Sequence, residues 1–90
     1  MSYILKDHRE AFDEPIANIG KDIRSVEELH YCITSLIHNY TNNRIMRYGM
    51  LNECLGVLDA VSREYYRKVV APYEDKKIEE NGDIEILPTT

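Results

Sequence analysis

Tryptophan is absent from this chain and phenylalanine occurs once, yet there are seven tyrosines. A buried tyrosine hydroxyl needs a hydrogen-bond partner, so this aromatic set suits half-buried positions and interfaces better than a dry core. No apolar run is long enough to span a bilayer, and no signal peptide is recognisable at the start. The only cysteines, Cys32 and Cys54, lack C-x-x-C spacing. That excludes a disulfide scaffold and reads as two reduced thiols in a cytoplasmic protein. There is no G-x-S-x-G, and neither cysteine has a histidine spaced to activate it, so nucleophilic catalysis has no motif.

What is present is a hydrophobic fraction of 43% in 90 residues. That is enough for one folded helical domain, expected over residues 1–83 with an extended tail over 84–90, but with a marginal core. The net charge of −5 is uneven: residues 1–30 hold four basic and seven acidic groups, and residues 44–77 hold seven basic and five acidic. Between Leu29 and Asn43 there is no formal charge. An acidic chain with a mildly basic middle is a poor duplex-DNA binder, because that binding neutralises many phosphates. It is compatible with a small anion held by two or three arginines.

Hydrophobic spacing predicts an all-α fold of three helical segments. Leu5, His8, Phe12, Ile16, Ile19 and Ile23 recur at three and four residues. Pro15 is expected to split this stretch in two, with Asp13 capping the restart and Gly20 as a stop. Ser25-Val26-Glu27-Glu28 is a capping box that opens the second helix. Val26, Leu29, Ile33, Leu36, Ile37 and Tyr40 form its stripe, and Thr41-Asn42-Asn43 ends it.

The third helix is expected from Arg47 to Ala71, packing Leu51, Cys54, Leu55, Leu58, Val61, Tyr65 and Val69 against the first two segments. Met50, Val57 and Tyr66 make that face wider than one neighbour covers. Pro72 is expected to kink or restart it, with a last piece over Tyr73 to Glu80 and Gly82 as a left-handed cap. Ile84 to Leu87 alternates like a strand but is too short to stand alone. The result is a small bundle with one long kinked C-terminal helix, assembled as a homo-oligomer.

On the opposite face of the long helix, Gly49, Gly56 and Ala60 fall on one line, flanked by Asn52 and continued by Arg63 and Arg67. Small residues let a second backbone approach, and glycine inside a helix otherwise costs about 1 kcal/mol against alanine. Helix packing in an oligomer and a ligand resting on bare backbone are both compatible with this line. Guanidinium groups fork onto phosphate and tyrosine rings stack on bases, so Asn52, Gly56, Arg63, Tyr66 and Arg67 form a candidate nucleotide site. The plainer reading pairs Arg63 and Arg67 with Asp59 and Glu64 on a solvated face. Tyr31, Thr34 and His38 make a second polar patch, read as surface.

No metal or cofactor is expected. His30 and His38 stand eight apart, whereas histidines sharing a metal from one helix stand three or four apart. His8, within the first stripe, is expected to be a hydrogen-bonded core residue.

The opening MSYILKDHREAFDEPI and the closing REYYRKVVAPYEDKKIEENGD resemble the two ends of a family of small uncharacterised proteins encoded by tailed bacteriophages. The resemblance implies a viral protein in a bacterial host cytoplasm and transfers no activity. By analogy of genome context and size, it implies a non-enzymatic binding protein that sequesters a nucleotide signal of host antiviral defence. The alternatives are a protein–protein inhibitor of a host factor and a structural or regulatory oligomer without a ligand. No membrane partner is expected.

Overall fold

The computed structural model describes residues 3–85. It is 81% helical, and the described residues contain no strand. A short 3-10 turn, Lys6–His8, precedes α1 (Glu10–Asp22), α2 (Val26–Asn42) and α3 (Tyr48–Tyr65). A π-helical turn, Tyr66–Val70, joins α3 to α4 (Ala71–Asn81), giving a continuous C-terminal helix of 34 residues. The chain forms two units, Met1–Val57 and Leu58–Thr90, so the division falls within α3.

Pro15 does not split the first helix. The Phe12 and Asp13 amides both donate to the Arg9 carbonyl at 2.9 Å, so Asp13 is already in the helical ladder and caps nothing. Pro15 removes the donor that would meet Ala11, but both residues are exposed and water can take its place. Gly20 does not stop α1 either. The chain leaves the helix at Ile23, whose backbone is extended, because Ser25 must also be extended to cap α2.

That cap is the reciprocal pair the sequence encodes, with one change. Ser25 Oγ accepts from the Glu28 amide at 3.1 Å, and the Glu28 carboxylate accepts from the Arg24 amide at 2.7 Å, one residue before the serine. Ser25→Ala should therefore cost about 1 kcal/mol, read as a lower thermal midpoint by circular dichroism. At the other end, the Asn43 and Arg44 side chains donate to the Asn39 and Tyr40 carbonyls, at 2.8 and 2.7 Å. Those two contacts do the work of a glycine cap.

Pro72 does not end the long helix. The Ala71 amide reaches back five residues to the Tyr66 carbonyl, which shifts the register one turn before the proline. In an unshifted ladder the ring would press on the Lys68 carbonyl. Gly82 closes α4 at φ 84°, ψ 153°, a positive φ suited to glycine but outside the left-handed helical well. Ile84 and Glu85 form no strand, and Ile86 and Leu87 lie outside the described residues.

Within Met1–Val57 the expected packing is only partly made. Met50 is the one buried hydrophobic side chain among the described residues, and Cys54 is half-buried. The helix stripes stay open: Leu55 is 65% exposed and Leu36 71%. His8 is exposed at the end of the 3-10 turn, not in a core. In Leu58–Thr90, Leu58, Val61, Tyr65 and Val69 are likewise exposed.

Candidate functional site

The helices of Met1–Val57 converge around an open apolar cleft of about 450 Å³. Phe12 comes from α1, Leu36, Ile37 and Tyr40 from α2, and Met50, Cys54 and Val57 from α3. The spacing behind this is legible. Met50 and Val57 are the residues that widen the α3 stripe, and that flank turns toward α1 and α2 while Leu55 does not. A cleft so lined offers mainly dispersion and dehydration, and its polar chemistry is confined to the Glu53 carboxylate, the Tyr40 hydroxyl and the Cys54 thiol.

A second cleft of about 600 Å³ lies where α2 passes to α3, lined by Tyr40, Asn43, Arg44, Arg47, Met50 and Glu53 among others. The Arg44 guanidinium stacks over the Tyr40 ring, 3.7 Å from its centroid. Arg47 is exposed in the same cleft. Sequence reasoning missed this cluster. Its signal was the pair of arginines following the charge-free stretch, three and six residues after Thr41. A third cleft, of about 430 Å³ between α1 and α2, carries Asp22, Glu27 and Glu28 and is the wrong sign for an anion.

Of the five residues expected to hold a nucleotide, Asn52 and Gly56 stand exposed on α3 within Met1–Val57. A Cβ built on Gly56 meets nothing within 4 Å. Arg63, Tyr66 and Arg67 belong to Leu58–Thr90, and all three are exposed. Arg63 pairs with Asp59 at 3.1 Å, the plainer of its two readings. The Tyr66 hydroxyl is hydrogen-bonded to the Glu74 carboxylate, which raises its pKa above the ordinary tyrosine value, with Asp75 adding to the field. Tyr66 and Arg67 both lie on the π turn. π turns recur at functional sites, but Pro72 already accounts for this one.

Tyr31, Thr34 and His38 are exposed on α2. No group of three or more histidine, cysteine, aspartate or glutamate side chains among the described residues is placed to hold a metal. Cys32 and Cys54 are free and half-buried. Among the described residues no helix is long and apolar enough to cross a membrane.

No curated protein and no solved structure matches the chain. Residues 1–84 do match a family model described as a domain of unknown function, DUF6899, and the chain belongs to that family.

Proposed function

We propose that this protein is a non-enzymatic binding module that works as a homo-oligomer, completing its helix packing on further copies of itself. The observation that carries this reading is the state of its hydrophobic residues. Met50 alone of the hydrophobic side chains is buried among the described residues, while most of the stripes of α1, α2 and α3 faces solvent. Ordering a residue costs roughly 1–2 kcal/mol of backbone entropy, and one buried methionine cannot offset that over three helices. Association supplies the missing burial. Light scattering at micromolar concentration should give a multiple of 10.5 kDa. A monomeric mass with full helicity would remove the proposal.

A second reading rests on the Tyr40–Arg44 stack beside Arg47, with Asn52, Gly56, Arg63, Tyr66 and Arg67 as the separate site expected from sequence. It makes the ligand a nucleotide, held by arginines on phosphate and tyrosine on the base. The resemblance to tailed-phage proteins supports a role in the bacterial host cytoplasm, sequestering a nucleotide signal of antiviral defence. Inhibition of a host protein through a helical face is the alternative, and a pull-down from host lysate addresses it.

Calorimetry against linear and cyclic nucleotides tests the ligand directly. Arg67→Ala should weaken binding by about 1.5–3 kcal/mol if the sequence-derived site is right, the range for hydrogen bonds to charged groups. Arg47→Ala should do so instead if the ligand sits between α2 and α3. Lys77→Ala is the control, since Lys77 already pairs with Glu80 at 3.3 Å and lies over Tyr73. No binding of any nucleotide by the unaltered protein would leave the interaction role alone.

A further inference from the structure

We infer that α2 is the contact helix of the assembly, packing antiparallel against α2 of a second copy across a two-fold axis near Leu36. This rests on the homo-oligomer reading and names the surface that reading leaves open.

The first ground is charge. From Leu29 to Asn43 the helix carries no aspartate, glutamate, lysine or arginine on any side, whereas α1 and α3 both carry several. A helix that stays in water usually shows a charged face. The centres of protein interfaces are depleted in charge and enriched in tyrosine. On the face centred on Leu36, Leu36 itself is 71% exposed and Leu29, Ile33 and Tyr40 are each about half exposed.

The second ground is area. Those four side chains, at roughly 200 Å² each when free, leave roughly 400 Å² open on α2 alone. A standard interface takes about 800 Å² from each partner, so α2 supplies about half of one, and the adjoining apolar cleft, which shares Leu36 and Tyr40, adds Phe12 and Val57 beside it.

The third ground selects the occupant and its direction. A neutral face is complementary to itself, whereas a face of one sign repels its own copy on a two-fold. Nucleic acid would require cations that this stretch lacks. The charges resume only at the ends, with Glu27 and Glu28 before the stretch and Arg44 and Arg47 after it. Antiparallel packing about Leu36 sets Glu28 of one copy opposite Arg44 of the other, and the two helix dipoles oppose each other as well. Parallel packing would set acid against acid.

The test is thiol cross-linking with light scattering on the same samples. In a Cys32→Ser/Cys54→Ser background, Leu36→Cys lies at the axis and should form a disulfide-linked dimer under mild oxidation. Its rate should exceed that of Ser62→Cys, an exposed α3 position off the contact, by roughly tenfold or more, because the bond needs Cα atoms about 4.4–6.8 Å apart. Should Leu36→Cys lose its helicity, Tyr40→Cys with native Cys32 retained takes its place, since positions 32 and 40 meet across the same axis. An oligomeric mass with cross-linking no faster than at Ser62 overturns the α2 contact and leaves the oligomer standing. A monomeric mass overturns both.

Discussion

Leu36→Asp should abolish assembly and, with it, most of the helical signal at micromolar concentration. In the single chain this side chain is 71% exposed, so a monomer would lose almost nothing, within about 0.5 kcal/mol. At the centre of a two-fold contact the same change buries two like charges with no cation nearby. Leaving an uncompensated charge buried costs about 3–5 kcal/mol, a large share of a small domain's total stability. The measurements are mass by light scattering and ellipticity at 222 nm across a dilution series. The unaltered protein should itself melt at a lower temperature as it is diluted, because association and folding are linked. A variant that keeps both an oligomeric mass and the melting temperature would show that α2 faces water and that the assembly uses another surface.

Local signals in this sequence are legible where they act over one turn. The Ser25–Glu28 box places the start of α2, the helix runs two residues into the Thr41-Asn42-Asn43 segment expected to end it, and Gly82 marks the end of α4 through its positive φ. The two prolines do not act as breaks. Pro15 lies inside α1 and Pro72 is accommodated by a π turn, because an exposed helix can let water or a register shift absorb one missing donor. Spacing also identified which residues share a face, but not what covers that face. The α3 stripe was expected to pack on the first two helices, yet only the Met50–Cys54 flank turns inward. The cleft with Tyr40, Arg44 and Arg47 escaped notice because its members straddle a helix end, where no periodicity links them. Helical spacing gathered Asn52, Gly56, Arg63, Tyr66 and Arg67 as one surface. Partner choice lies outside that pattern, as Asp59 holding Arg63 and Glu74 holding the Tyr66 hydroxyl both show.

Gly56→Leu should destabilise the protein, and the sign of that change is what makes it informative. Gly56 lies inside α3 with open space where a Cβ would stand. In an isolated helix, replacing glycine with leucine is favourable by about 0.8 kcal/mol, since glycine loses the most backbone entropy on folding. A chain whose α3 met only water would therefore gain stability. If the line of Gly49, Gly56 and Ala60 instead receives the backbone of another copy, four added carbons overfill the contact and cost about 1–3 kcal/mol. Gly20→Ala supplies the baseline, because Gly20 is also helical and also open, and it should stabilise by about 0.5–1 kcal/mol. Thermal melts of the two variants, with masses from light scattering, decide the matter. Gains at both glycines would mean that the small residues of α3 face solvent. A gain at Gly20 with a loss at Gly56 would identify the small-residue line as a second packing surface of the oligomer.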